Sequence, residues 1–153
     1  MSAEAKLKEL NITLPEVTKP VASYLNAVRS GNLLYLSGGL PDLGLPEFRG
    51  KVPTDVTPEL AKEAAREAIL GRLAVIKAEV GSLDAVKKFV SLQAFVNAET
   101  DFTDVPQVIN GASDTLVEIF GQEIGSHSRT AVGVASLPLN VCVEIALVVE
   151  LLD

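Results

Sequence analysis

The amino-acid sequence predicts an α+β fold in which two helices cover one face of a mixed β-sheet. Two segments, 58–80 and 105–120, repeat apolar residues at the spacing of an amphipathic helix. Five shorter segments rich in valine, leucine and isoleucine flank these helices and are typical of strands. Placing both helices on the same side of the sheet is the economical arrangement, because each element then buries its apolar face.

The first third of the chain is predicted to hold a short helix and a β-hairpin. Residues 3–10 form a mostly polar helix. Apolar segments at 24–28 and 33–37 flank an Arg-Ser-Gly-Asn stretch, which is a pattern typical of a hairpin. The following residues, 38–55, are rich in glycine and proline and are predicted to form a loop.

The first long helix has clear start and stop signals. Thr57 can cap the helix, and Pro58 suits the first helical position because no N–H is needed there. Apolar residues, many of them alanine, then recur at helical spacing until Gly81. The small side chains on the inner face predict close packing onto the sheet.

Residues 86–96 are predicted to form a strand with two different faces. One face is apolar and consists of Val86, Val90, Leu92, Ala94 and Val96. The odd-numbered positions form a mixed face that includes Phe89 and Phe95. These rings need cover that one subunit cannot easily supply, so the mixed face is expected to pack on a partner subunit.

The last part of the chain is predicted to contain one helix and two strands. The helix begins at Val105 and is ended by Gly121 or Gly125. The strands follow at about 130–137 and 141–151, joined by a Leu-Pro turn.

Composition and charge limit the classes of function. The chain has 153 residues, of which 48% are hydrophobic and 22% charged, and its net charge is −7. This charge and the lack of a basic run oppose binding to nucleic acid. No apolar run approaches the ~20 residues of a membrane span. Because residues 1–10 are also charged rather than signal-like, a cytoplasmic location is expected.

The chain has one cysteine and one histidine. Cys142 cannot form an internal disulfide, and its apolar neighbours favour an inert core residue over a nucleophile. His127 alone cannot form a His-rich metal site, and no Cys/His cluster has zinc spacing. A loop histidine is more often structural or solvated than a proton shuttle.

Two charged side chains interrupt the apolar strands near the C-terminus. Arg129 opens one strand and Glu144 lies in the next. Burying an unpaired charge is costly, so these residues either pair with each other or face a site. A guanidinium offers a planar fork to a carboxylate. A carboxylate can hold a water molecule and move a proton.

The pattern around these residues resembles the C-terminal signature of the Rid, or YjgF, family of reactive intermediate deaminases. It reads Arg-x-x-Val-x-Val-x-x-Leu-Pro from Arg129 and Val-Glu-Ile around Glu144. Further pieces occur in the family's order: Tyr24 in a Pro-x-x-x-Tyr segment, Ser-Gly-Gly at 37–39, and Asp-Phe before Asn110.

The resemblance covers residues 17–151 and implies a single domain over 1–153, with 1–16 as an N-terminal extension. It implies the chorismate-mutase-like α+β fold of the family. It also implies a homotrimer whose clefts lie between subunits, which composition alone does not indicate.

The resemblance implies roles for six residues. The family's catalytic positions correspond to Arg129, Glu144 and Tyr24, and its substrate-binding positions to Arg129, Asn110, Gly38 and Gly39. In the family the arginine holds the substrate carboxylate and the glutamate positions the attacking water. As bare sequence features, the tyrosine could equally serve packing, the asparagine could fix a loop, and the glycines could form a plain turn.

The chain departs from the family pattern at three positions. Ala146 stands where a second acid is frequent, Ser113 where a tyrosine is frequent, and Ala131 where a cysteine is common. These departures concern the substrate pocket more than the carboxylate anchor.

The function expected from the resemblance is hydrolysis of reactive enamines and imines, such as 2-aminoacrylate, to 2-keto acids and ammonia. The implied reaction needs no cofactor and no metal. One alternative is a non-catalytic trimer that binds a small carboxylate or keto acid, favoured by Ala146 and Ser113. An endoribonuclease is a further alternative, which the net charge of −7 opposes.

Overall fold

The computed structural model describes residues 1–20 and 22–153 and has the α+β architecture that the sequence predicts. Short 3₁₀ segments occur in three of the connections within that part of the chain. The helices and strands, in chain order, are α1 (Ala3–Glu9), β1 (Ala27–Ser30), β2 (Leu33–Gly39), α2 (Pro58–Val80), β3 (Val86–Asn97), α3 (Val105–Gly125), β4 (Ser128–Val134) and β5 (Val143–Leu151). The predicted order of elements is confirmed.

The five strands form one mixed sheet in the order β1-β2-β5-β3-β4. All neighbours are antiparallel except β3 and β4, which are parallel. A parallel pair requires a crossover, and α3 supplies it. The last strand, β5, inserts between β2 and β3, so β4 and β5 are not neighbours although a short connection joins them.

The core lies between the sheet and the helices α2 and α3. Strand β5 alternates buried and half-buried residues, so one of its faces is covered. The alanines predicted for the inner face of α2 are fully buried. Helix α3 approaches α2 closely at Gly111, where a Cβ atom would lie 2.0 Å from the carbonyl oxygen of Lys62. No helix in the described ranges is long and apolar enough to cross a membrane.

The helix boundaries follow the local signals in the sequence. The Thr57 side chain accepts a hydrogen bond from the Leu60 N–H, and Gly81 ends α2 in the left-handed conformation with φ 87°. In α3, Gly121 has φ 77° and kinks the helix, which then continues to Gly125. Both glycines proposed as the end of α3 therefore shape it.

One expectation for β3 is wrong: Phe89 is buried and Val90 is exposed, the reverse of the predicted faces. The Phe89 ring packs edge-to-face on Phe120 at 4.7 Å, whereas Val90 is 38% exposed. The pairing of β3 with β5 shifts register between Phe89 and Ser91. Such a bulge reverses the alternation on one side of it. Phe95, beyond the bulge, lies half-buried on the sheet face without helices.

The N-terminal helix packs on the rest of the chain. Ala3 and Leu7 are buried. Glu4 pairs with Lys77 of α2 at 2.8 Å and accepts a hydrogen bond from the Leu83 N–H at 3.0 Å. The segment predicted as an extension is thus attached to the end of α2.

Candidate functional site

Arg129 lies on the edge strand β4, on the helix side of the sheet. It pairs with Leu92 of β3, which is buried under the helices. Its Nη1 donates to Asn110 Oδ1 at 2.8 Å and to Ser113 Oγ at 3.2 Å, both on α3. Within residues 1–20 and 22–153, no carboxylate forms an ion pair with Arg129. Neutral groups therefore hold an exposed cation that remains available to an anion.

His127 belongs to the same cluster of side chains. Its Nε2 lies 2.9 Å from Ser113 Oγ, and its Nδ1 lies 2.7 Å from the Gly125 carbonyl oxygen. Burial lowers the pKa of His127, and the neighbouring cations Arg129 and Lys88 lower it further, against the raising effect of the Gly125 carbonyl. The ring is therefore neutral at neutral pH.

Glu144 lies on the opposite face of the sheet. It pairs with Phe95 of β3, whereas Arg129 pairs with Leu92 of the same strand. Leu92 and Phe95 are three positions apart, and an odd separation along a strand places side chains on opposite faces of the sheet. Its side chain covers Gly38, where a Cβ atom would lie 2.7 Å from Oε2. Burial raises the pKa of Glu144, and the Arg72 cation partly offsets this. A carboxyl with a raised pKa suits proton transfer near neutral pH.

Arg72 of α2 is a site residue that the sequence analysis missed. Its Nη1 donates to the Ser37 carbonyl oxygen at 2.8 Å. Its Nε is buried and has no hydrogen-bond partner among the described residues. The Nε also lies so close to Gly39 that a Cβ atom on this glycine would be 2.1 Å from it. Burial lowers the pKa of Arg72, while the Tyr24 and Glu144 side chains raise it. The guanidinium is thus within electrostatic range of two of the predicted catalytic residues.

A signal for Arg72 exists in the sequence. It follows Ala68 by four positions and precedes Ile76 by four, so it interrupts the apolar stripe of α2. A charge on the buried face of a helix requires a partner or a site.

A cavity of about 660 Å³ opens beside the end of β2. Its walls include Tyr24, Gly38, Gly39, Arg72 and the segments 15–20 and 40–43. Tyr24, which carries a phenol, is 51% exposed. The two glycines at this wall leave room for the side chains of Glu144 and Arg72, since a Cβ at either position would collide with them.

The structure divides the six predicted residues into two groups. Arg129 and Asn110 form one group on the helix side, and Asn110 contacts Arg129 directly. Glu144, Gly38, Gly39 and Tyr24 form the other group, together with Arg72. The sequence alternative in which Arg129 pairs with Glu144 is excluded within one chain, because the two side chains lie on opposite faces.

Neither group has the features of a metal or thiol site. Among the described ranges 1–20 and 22–153, no three His, Cys, Asp or Glu side chains lie close enough to hold a metal ion. Cys142 is fully buried, and burial raises its pKa to about 12, so the thiolate does not form at neutral pH. The prediction of an inert core cysteine is confirmed.

The chain matches known proteins over nearly its whole length. The family described as "YjgF/chorismate_mutase-like, putative endoribonuclease" matches residues 4–151. Protein TCP17 of Trypanosoma cruzi is 41% identical over 149 residues, covering 96% of this chain and 92% of that protein. A 2-iminobutanoate/2-iminopropanoate deaminase of Dermatophagoides farinae is 29% identical over 138 residues, covering 90% and 93%.

Solved structures agree with this match. The crystal structure of a protein from Shewanella oneidensis, named a "putative endoribonuclease", has a TM-score of 0.93 at 32% identity, covering 99% of this chain and all of that one. Membership of one family therefore explains both the fold described above and the C-terminal arginine and glutamate motifs. The chain belongs to the YjgF/chorismate-mutase-like, or Rid, family.

Proposed function

We propose that the protein hydrolyses small imines and enamines that carry a carboxylate, giving a 2-keto acid and ammonia. The observation that carries this proposal is the state of Arg129: an exposed guanidinium held on one side by Asn110 and Ser113. Such a fork binds a carboxylate through two parallel hydrogen bonds. The similarity to a relative named a 2-iminobutanoate/2-iminopropanoate deaminase supports the same chemistry.

The proposed reaction adds water across the carbon–nitrogen double bond of the imine. Glu144 takes a proton from the water as the water oxygen bonds to the imine carbon, and this proton is then delivered to the imine nitrogen. The hydroxyl proton of the resulting carbinolamine then moves to the nitrogen as the carbon–nitrogen bond breaks, which leaves the keto acid and releases ammonia. The Arg72 cation opposes the effect of burial on Glu144 and so favours the ionised carboxylate that accepts the proton.

In this proposal the complete site is shared with a second copy of the chain, since Arg129 and Glu144 lie on opposite faces of the sheet. The face without helices carries an apolar strip suited to such contact. On this face Val28 of β1 pairs with Tyr35 of β2, and the exposed Val132 of β4 pairs with Phe95 of β3. A homotrimer, as the family resemblance implies, would bring the Arg129 group of one copy to the Glu144 group of the next.

The alternative of a carboxylate-binding trimer without turnover rests on Ala146. It pairs with Gln93 on the face of Glu144, so a second acid is absent two residues from Glu144. The same clefts would then hold a keto acid and not process an imine. Measuring binding and turnover on the same preparations separates the two functions.

The test is a turnover assay with an imine generated in the cuvette, compared with the uncatalysed rate. We expect wild-type protein to accelerate release of the keto acid. Arg129→Ala and Arg129→Lys should both lose this acceleration, because one ammonium cannot reproduce the two-point fork. Full activity in Arg129→Ala would refute the assignment, and keto-acid binding without acceleration would establish the non-catalytic alternative. RNA degradation in the same preparations tests the endoribonuclease.

A further inference from the structure

We propose that Ser113 and His127 are positioning residues that fix which edge of the Arg129 guanidinium faces the substrate. This inference rests on the proposed function, in which Arg129 binds the substrate carboxylate. It assigns a role to a hydroxyl and an imidazole that the proposed chemistry does not otherwise use.

The Gly125 carbonyl determines the tautomer of His127. A carbonyl oxygen only accepts hydrogen bonds, so Nδ1, at 2.7 Å, carries the ring proton. In the neutral ring Nε2 is then an acceptor. The hydroxyl of Ser113, 2.9 Å away, must therefore donate to Nε2.

The state of the ring supports this direction. Burial, together with Arg129 and Lys88, lowers the pKa of His127 despite the contact with Gly125. The neutral acceptor form is thus the one present at neutral pH. With its proton directed at His127, Ser113 presents only oxygen lone pairs to Arg129 Nη1 at 3.2 Å.

Among the described residues, these contacts leave the guanidinium with one occupied end and one free edge. Nη1 has two hydrogens, and its two acceptors are Asn110 Oδ1 and Ser113 Oγ. The donors left for a ligand are Nε–H and the Nη2 hydrogens, which form the side-on edge of the fork. A carboxylate bound end-on, between Nη1 and Nη2, would have to displace one of these two acceptors. The cluster therefore selects side-on binding of the carboxylate.

The experiment compares Ser113→Ala with the conservative variant Ser113→Thr, which keeps the hydroxyl. His127→Phe removes the imidazole nitrogen that accepts from Ser113. Ser126→Ala is the matched control, because the Ser126 hydroxyl accepts a hydrogen bond from Gln122. Dissociation constants for 2-oxobutanoate and the values of KM and kcat for imine hydrolysis are measured for each protein.

We expect Ser113→Ala and His127→Phe to raise the dissociation constant and KM about 10-fold, the usual scale for losing a hydrogen bond to a charged group. The value of kcat should change much less, because Glu144 carries the proton transfer. Ser113→Thr should restore the wild-type constants, and Ser126→Ala should leave them unchanged. In an Arg129→Lys background, Ser113→Ala should add no further loss.

A second measurement tests the cluster without any ligand. The chain has a single histidine, so ¹⁵N NMR reports its tautomer directly. We expect a neutral ring protonated on Nδ1 at pH 7, with an Nε2 shift that moves in Ser113→Ala. A ring protonated on Nε2, or a charged ring, would overturn the inference.

Two different outcomes would contradict the positioning role of Ser113 and His127 and the carboxylate-binding role of Arg129. If Arg129→Lys weakens keto-acid binding while Ser113→Ala and His127→Phe bind as wild type, the positioning role is wrong and the proposed function stands. If Arg129→Lys binds as tightly as wild type, the carboxylate anchor is wrong, and the assigned edge is wrong with it.

Discussion

Glu144 is the carboxylate whose surroundings best suit proton transfer. It is half-buried in an apolar strand, its pKa is raised by burial, and Arg72 is the cation that acts on it. Glu150 on the same strand differs, because Lys87 pairs with it at 2.9 Å. The two residues lie on the same face of β5, separated by an even number of positions.

Glu144→Gln should therefore slow deamination without unfolding the protein. The amide keeps the shape that covers Gly38 and loses the proton acceptor. We expect the variant to bind 2-oxobutanoate like wild type and to turn over imine about 10²-fold more slowly or worse, the usual scale for removing a general base. Glu150→Gln is the control and should retain full activity. A Glu144→Gln protein that loses folding yet stays active in its folded fraction would identify Glu144 as a structural residue.

Arg72 should set the acidic limit of the activity. In the proposed reaction Glu144 acts as a base, so the rate should fall as the pH drops through the pKa of Glu144. Burial raises that pKa and Arg72 lowers it, so removing the cation with Arg72→Met should raise it further. The acidic limb of kcat/KM against pH should then move to higher pH, whereas Arg72→Lys should hold it nearer to its wild-type position. An unmoved limb in Arg72→Met would show that this cation does not act on the catalytic carboxyl.

At the scale of the elements, two glycines on the paired helices have opposite surroundings. A Cβ at Gly111 of α3 would lie 2.0 Å from the carbonyl oxygen of Lys62, whereas a Cβ at Gly71 of α2 would meet nothing within 4 Å. The close approach of α3 to α2 thus depends on the first glycine and not on the second.

Gly111→Ala should destabilise the protein by about 1–3 kcal/mol, because the backbone must shift to relieve the overlap. Gly71→Ala should stabilise it by about 0.5–1 kcal/mol, because alanine restricts the unfolded chain and favours a helix. Urea denaturation midpoints at one fixed protomer concentration measure both effects. Equal effects of the same sign at the two positions would contradict the close helix contact.

The same elements show what the sequence could predict. The ends of α2 depend on local chemistry at Thr57 and Gly81, and the structure has them where they were predicted. The faces of β3 around Phe89 depend on a bulge formed with β5, a strand more than fifty residues away, so alternation alone misplaced them.

The candidate site was predictable to a similar extent. Arg129 and Glu144 were selected as candidates because charges in apolar strands stand out in the sequence. Their separation was not evident, because it follows from the insertion of β5 into the middle of the sheet. Arg72 was overlooked because one charge in a long helix is usually solvated.

At the scale of the whole molecule, the divided site and the apolar sheet face lead to one expectation. If the catalytic groups meet only between copies, the active species is an oligomer. Light scattering should then give the mass of a trimer at micromolar concentration, and a stable monomer with full activity would contradict the shared cleft. Mass alone, however, does not show that two copies contribute residues to one site.

Mixing two inactive variants tests that contribution directly. In a ring of identical subunits, each cleft would take Arg129 from one copy and Glu144 from its neighbour. Each subunit of Arg129→Ala retains Glu144, and each subunit of Glu144→Gln retains Arg129. After unfolding and refolding together in equal amounts, about one quarter of the clefts should contain both native residues and recover wild-type turnover, if subunits assemble at random. The same variants refolded separately and then mixed provide the control and should stay inactive. If the site were contained in one chain, no mixture could restore it, because every subunit would still lack one of the two groups.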